Sequence, residues 1–247
     1  MIFNTRFGRL FFFSTEPQAC SYLPEREAVM LFADPNKVID TETYARLIDY
    51  GFRRSGDNVY RPHCRGCQAC VPVRIPVDDF QPDRAQRRTW RRNQDLVVTT
   101  ARTDFGPEHL DLYHRYQLAR HDDRVSVRDS REQLEFLRSR FIDTSTLEYR
   151  LAGRLVMVSV IDQLPHGLSA VYTFYEADDP DIVKRGLGTY GVLRQVEECR
   201  ARRLPWLYLG YWIAESDKMA YKSRYRPLHA YREGRWEQLL TAGDGER

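Results

Sequence analysis

LSAVYTFYE (168–176), KRGLGTYGVLRQVEEC (184–199), PWLYLGYWIAES (205–216) and KMAYKSRYRP (218–227) follow one another along the chain, and their order decides the fold. The first and third alternate aromatic and small residues at period 2, which predicts strands. The second opens on a glycine-punctuated turn and continues at helical spacing, with Val192, Leu193, Val196 and Cys199 on one side. A strand, a glycine turn and a helix together point backbone N–H groups at an anionic ligand.

Upstream, 147–152, 155–162 and 168–175 read as three consecutive strands joined by hairpin turns at Gly153-Arg154 and 164–167. Three antiparallel strands, a crossover helix over 188–202 and a strand over 205–213 predict a mixed sheet, which holds ligands where the strand order switches. A short helix over 217–225 and a last strand or hairpin over 228–237 complete this part. The plan resembles acyltransferases of the acetyltransferase (GNAT) superfamily, in which the turn corresponding to Lys184–Thr189 holds coenzyme A. The expected class is α+β. It combines a GNAT-type mixed sheet in a C-terminal domain (104–247) with a smaller, cysteine-containing N-terminal α+β domain (1–103). Gly106-Pro107 punctuates the change.

The N-terminal part is read in the same way. An aromatic strand is expected within 1–19, around Phe3, Phe7 and Leu10–Phe13, and a short strand or helical piece over 26–32. Asp40 caps a helix over 41–50, closed by Gly51. Val71, Val73, Ile75 and Val77 alternate with Pro72, Arg74 and Pro76, so this strand is expected at a sheet edge with Arg74 off the apolar face. Helices are expected over 83–93, 108–120 and 130–141.

Composition sets bounds. At 42% hydrophobic and 30% charged residues the chain has the make-up of a globular protein. The apolar run Leu10–Phe13 is too short for a membrane span or a signal core, so a soluble cytoplasmic protein without a membrane partner is expected. Only Lys37, Lys184, Lys218 and Lys222 are lysines among 38 basic residues. Arginine is the side chain suited to bidentate phosphate and carboxylate contacts. Cys64, Cys67 and Cys70 at C-x-x-C-x-x-C spacing suggest a zinc or iron–sulfur site, with His63 beside them and Cys20 as the fourth available thiolate. Reduced thiols in a tight loop are the competing reading. Cys199, on an apolar helix face, reads as core.

Several motifs in order carry a family resemblance. They are Cys20-Ser-Tyr22-Leu-Pro24, Tyr60-Arg-Pro62, the three-cysteine run leading to Arg74, Thr173-Phe-Tyr175, Leu187-Gly188-Thr189-Tyr190, Tyr208-Leu-Gly210-Tyr211-Trp212-Ile213 and Lys218-Met-Ala-Tyr221-Lys222. Together they resemble the arginyl-tRNA–protein transferase family, most closely its bacterial aspartate/glutamate leucyltransferase branch. One departure is that eukaryotic members carry two cysteines at the first motif, where this chain has Cys20 and then Leu23.

The resemblance implies transfer of leucine from leucyl-tRNA to the N-terminal amine of proteins beginning with Asp or Glu, as in an N-degron pathway. The ester is already activated, so no cofactor and no nucleophilic side chain are required. Alignment and oxyanion stabilisation are the main demands. Glu176 or a tyrosine such as Tyr175 would take the amine proton. Arg74 is the first candidate for the acceptor's carboxylate, followed by Arg185 and Lys218. Tyr22, Tyr172, Thr173, Gly186, Gly188, Thr189, Tyr211, Tyr221 and Lys222 would shape the substrate pocket. The helix bearing Arg84, Arg87, Arg88, Arg91 and Arg92 would follow the tRNA backbone, with Trp90 as a stacking face. Alternatives from other classes are an arginyl donor, a coenzyme A-dependent N-acetyltransferase, and a binding module without turnover. His114, His121 and His229 receive no role.

Overall fold

The computed structural model describes residues 3–5, 8–120 and 126–240. The N-terminal elements are β1 (Phe3–Thr5), β2 (Gly8–Leu10), β3 (Phe12–Ser14), β4 (Gln18–Ala19), β5 (Glu27–Ala28), β6 (Met30–Ala33), α1 (Thr41–Ile48), β7 (Arg53–Ser55) and β8 (Asn58–Pro62). There follow β9 (Val71–Pro76), α2 (Arg84–Arg92), β10 (Val97–Arg102), α3 (Pro107–Arg120) and α4 (Val127–Glu135). The rest is β11 (Thr144–Leu151), β12 (Arg154–Leu164), β13 (Gly167–Tyr175), α5 (Pro180–Val183), α6 (Leu187–Ala201), β14 (Trp206–Trp212), α7 (Asp217–Ala220), a 3₁₀ turn (Tyr221–Arg224), β15 (His229–Arg232) and β16 (Arg235–Gln238).

An eight-stranded sheet in the order β10-β11-β12-β13-β14-β9-β15-β16 organises the molecule, and β13–β14 is its parallel pair. The fold is thus mixed α+β, as the strand and helix order predicts. The sheet takes β9 and β10 from before residue 103, so strands from both sides of the expected boundary share one sheet. A second sheet, β3-β6-β8-β7, packs with α1 around Tyr44, Leu47, Ile48 and Phe52. The expected strand over 26–32 is β6 with the short β5, while Phe7 lies outside the described residues.

α6 forms although it contains Gly188 and Gly191, each costing about 1 kcal/mol in a helix interior. Its buried Leu187, Tyr190, Leu193 and Val196 outweigh this, at about 1.5–3 kcal/mol for each large apolar side chain buried. A Cβ at Gly191 would stand 3.4 Å from Met157 Sδ and Ser159 Oγ, so the glycine lets α6 lie close on the sheet. α3 and α4 pack around Leu155, Val158, Val160 and Phe174 in a separate cluster.

Three expectations need correction. β9 is an interior strand, paired with β14 on one side and β15 on the other. Its prolines are tolerated because β15 pairs only at Val73 and Arg74, short of Pro72 and Pro76. The helix expected over 130–141 starts earlier and ends at Glu135, because Ser126 and Asp129 form a capping box ahead of Val127. The segment 217–225 is a single turn of α7 followed by the 3₁₀ turn, not one helix.

Candidate functional site

β13 and β14 pair only over Gly167–Ser169 and Trp206–Tyr208, although both strands continue. Each leaves register where the pairing stops. β13 shifts against β12 between Val160 and Ile161, and β14 shifts against β9 between Tyr208 and Gly210. Such bulges bend and twist a strand, and Gly210 supports the second with a φ of 82°. The strands therefore splay into a wedge whose facing backbone groups lack ladder partners.

Two cations enter this wedge. The Arg53 guanidinium, from β7, donates to the Ala170 carbonyl at 2.5 Å and lies against Gly210. Lys222 Nζ, from the 3₁₀ turn, donates to the Tyr211 carbonyl at 2.6 Å. Burial first, and then the neighbouring Arg53, bring the Lys222 ammonium down to about 7.

Tyrosines line the mouth. Tyr116 packs its ring 5.0 Å from Tyr175 and 6.2 Å from Tyr172. Tyr22 and Tyr221 stand within electrostatic reach of Tyr172 and Tyr175 respectively. Burial pushes the hydroxyls of Tyr116, Tyr172 and Tyr221 up, so they are neutral hydrogen-bonding groups at pH 7. Gly188 lets Tyr175 rest on the first turn of α6, where a Cβ would meet the ring at 3.5 Å. Thr173 Oγ1 donates to Ser159 Oγ, and Thr189 bonds the Tyr225 hydroxyl.

The cysteine loop closes the other side. Arg26 joins Cys67 Sγ at 3.4 Å to Glu215 at 3.2 Å, tying the loop to the segment after β14. The Ala69 amide and then Arg26 pull the Cys67 thiol down. Burial, and then Cys20, Cys64 and Cys67, push the Cys70 thiol up to about 12. The other three thiols thus stand within electrostatic reach of Cys70. In this arrangement no three His, Cys, Asp or Glu side chains among the described residues form a group that could hold a metal ion.

Other expected site residues lie elsewhere or are already engaged. Arg74 is buried, not an exposed edge arginine. Its guanidinium sits 3.6 Å from the centroid of Trp206 and 4.2 Å from that of Trp236, and it pairs with Asp49 at 3.2 Å. An arginine with a carboxylate and two aromatic faces already around it is poorly placed to take a substrate carboxylate. Arg185 is likewise spent, on Asp95, and Gly186 caps α6 in the left-handed region. The turn 184–186 is pinned to the end of α2, because Asn93 donates to the Arg185 carbonyl and Arg92 to that of Lys184.

Glu176 is sealed between Arg115 and Arg154. Burial alone would raise its carboxyl, but the Asp178 amide and the two guanidiniums outweigh this and hold it below the usual glutamate range. A carboxylate so engaged is a clamp and a poor proton acceptor. Tyr211 donates from its hydroxyl to the Gly51 carbonyl at 2.9 Å, so its side chain pins α1 instead of facing substrate. Lys218 is exposed.

Trp90 also differs from expectation. Its ring lies 5.4 Å from Tyr190 against the core, so it is not a free stacking face. The i, i+4 spacing of buried Gln86 and half-buried Trp90 is the signal for an inward face. Arg84, Arg87, Arg88, Arg91 and Arg92 are exposed, although Arg92 is tied to the Lys184 carbonyl.

Known proteins resemble this chain over most of its length. Residues 18–88 match the family described as "Arginine-tRNA-protein transferase, N terminus", and residues 108–232 match its "C terminus" counterpart. The chain belongs to the arginine-tRNA–protein transferase family. A protein of Pseudomonas savastanoi pv. phaseolicola named aspartate/glutamate leucyltransferase is 49% identical over 236 residues, 95% of this chain and 99% of that one. One of the same name from Pseudomonas aeruginosa is 48% identical over the same shares. Among solved structures, L-PGS from Bacillus licheniformis aligns with 77% of this chain and 65% of its own, at 15% identity and a TM-score of 0.47.

Proposed function

We propose that this chain is an aminoacyl-tRNA–protein transferase that moves leucine from leucyl-tRNA to the N-terminal amine of proteins beginning with Asp or Glu. The observation that carries the reading is the splayed wedge between β13 and β14. It is cationic at its base, lined by tyrosines and closed by the cysteine loop, in a chain nearly half identical to leucyltransferases throughout.

The wedge suits the reaction. The acceptor amine, with a pKa of about 7.7–8.0, is substantially neutral at cytoplasmic pH. It attacks the ester carbonyl, a C–N bond forms, the C–O bond to the terminal ribose breaks, and the amine proton ends on the ribose oxygen. What the protein must supply is alignment and hydrogen bonds to the developing oxyanion. Backbone groups outside the β13–β14 ladder and neutral tyrosine hydroxyls in the wedge suit both tasks. Tyr22, Tyr172, Thr173, Tyr175 and Tyr221 are the substrate-facing set in this reading. The acetyltransferase-like comparison rests on the same wedge and crossover helix. A coenzyme A reading is less well served, because Arg185 beside the glycine turn is held by Asp95.

Offering leucyl-tRNA and arginyl-tRNA with an Asp-starting peptide, and titrating coenzyme A separately, tests the assignment. Leucyl transfer supports it, and transfer from arginyl-tRNA alone or tight coenzyme A binding replaces it. Two further readings belong to the proposal: a cytoplasmic setting, and zinc or iron–sulfur at Cys20, Cys64, Cys67 and Cys70. Metal analysis of the purified protein tests the second.

The exposed arginines of α2 are proposed as the tRNA backbone contact. Replacing Arg84, Arg88 and Arg91 together by alanine is expected to weaken leucyl-tRNA binding. It should also reduce the salt-dependence slope by about 1 for each phosphate that is no longer neutralised. Filter binding over a salt series measures this, and an unchanged slope removes α2 from the interface.

A further inference from the structure

Arg53 and Lys222 are buried, at 8% and 5% exposure, and each satisfies one carbonyl on opposite strands of the wedge. Neither has a carboxylate within 4.0 Å among the described residues, and Arg53 NH1 is buried with no hydrogen-bond partner. The other buried arginines among the described residues carry a counter-charge: Arg54 has Asp162 and Arg74 has Asp49. Around Arg53 stand Ala170, Gly210, Tyr44, Tyr60, Tyr211 and Lys222, all neutral or cationic. A buried guanidinium beside a lysine whose charge burial suppresses, with no carboxylate at hand, is an arrangement that costs free energy and that an incoming anion would relieve.

We propose that Arg53 and Lys222 form the pocket that receives the side-chain carboxylate of the acceptor's first residue. The inference rests on the acceptor being acidic, and it assigns recognition to β7 and the 3₁₀ turn. The geometry supports this in three ways. Arg53 is anchored by one nitrogen, which leaves NH1 free for a charge-assisted bond. The pocket lies where the strands diverge, so an N-terminal residue seated there places its α-amine beside the wedge backbone. Among the described residues, no carboxylate of the protein's own stands within 4.0 Å to compete for the two side chains. A site built to pair with a charged group rejects the neutral isostere, because its own polar groups are then left unpaired.

Calorimetric titration of the full-length protein with two peptides, identical except for Asp or Asn at the first position, tests the pocket without requiring turnover. The unaltered protein is expected to prefer Asp by about 100-fold or more. In Arg53→Gln the preference should collapse to near unity through weaker Asp binding, with Asn binding unchanged. Arg53→Lys should retain an intermediate preference, and Lys222→Met should lower it. Circular dichroism reports whether each variant folds. If Arg53→Gln does not fold, the Arg53→Lys and Lys222→Met comparison decides. An unaltered protein that binds both peptides equally, or folded variants that keep the full Asp preference, overturn the proposal. A loss that falls equally on Asp and Asn peptides also overturns it, since a merely structural role behaves that way. Leucyl transfer assayed on the same preparation reports separately on the parent reading.

Discussion

Replacing Asp162 by alanine is expected to cost about 3–5 kcal/mol of stability, the usual result of leaving one member of a buried ion pair without its partner. Arg54 and Asp162 are both fully buried and meet at 2.5 Å, with Nε shared between the two carboxylate oxygens at 2.9 Å. The remaining guanidinium hydrogens reach the carbonyls of Gly56, Leu137 and Arg138 and the Thr144 hydroxyl. The pair ties the β7–β8 hairpin to β12 and to the chain after α4. Breaking it leaves an uncompensated cation at a junction of three segments. At about 2–4 °C per kcal/mol for a domain of this size, the melting temperature should fall by about 10 °C. Asp162→Leu combined with Arg54→Met should cost less than Asp162→Ala alone, because no charge is then stranded. Thermal unfolding of the three proteins measures this, and a single variant that melts within about 1 °C of the parent contradicts the assigned role of the pair.

The second large effect is expected at Gly167, the first residue of the parallel pairing. A Cβ there would stand 2.6 Å from the Trp206 carbonyl oxygen and 3.0 Å from the Tyr208 ring. The first of these is backbone and cannot move aside as a flexible side chain would. Gly167→Ala must therefore push β13 and β14 apart at the root of the wedge, at about 1–3 kcal/mol. The loss of function should exceed what that destabilisation explains, because Arg53 is anchored to Ala170 three residues further on. A variant that is folded at the assay temperature but raises the KM for the acceptor peptide is the expected result. Full activity at unchanged KM would mean that the wedge's opening is not critical.

These expectations show which parts of the molecule are written locally. α1 is readable because its signals are contiguous: Asp40 caps it, an apolar stripe follows, and Gly51 ends it with a φ of 81°. The β13–α6–β14 unit is readable for the same reason, from a change of period and a glycine turn. The position of β9 is not. Its prolines argue for an edge, and only the limited reach of β15 makes an interior place tolerable.

The site residues divide on the same line. Of the tyrosines at the mouth, Tyr22, Tyr172, Tyr175 and Tyr221 lie in stretches that the sequence singles out, as do Lys222 and the cysteines, whereas Tyr116 sits mid-helix in α3 and gives no such signal. Arg74 stands out as well, yet Asp49 and two tryptophans distant in sequence neutralise it. Arg53 gives no local signal, since it is one of two adjacent arginines in a short strand. Its neighbour reaches Asp162, whereas Arg53 reaches Ala170, 117 residues away. Pairings at that range are set by how whole sheets pack and leave no periodic trace in the chain.

If an acidic N-terminus and an aminoacyl ester meet in the wedge between β13 and β14, the acceptor's free α-amine must be the atom that takes the leucine. A single-turnover reaction of leucyl-tRNA with an Asp-starting peptide, alongside the same peptide acetylated at its N-terminus, examines this step alone, with products read by mass spectrometry. One leucine should be added to the free α-amine and none to the acetylated peptide. Transfer to both peptides, or to neither, would contradict a meeting of the two substrates in the wedge.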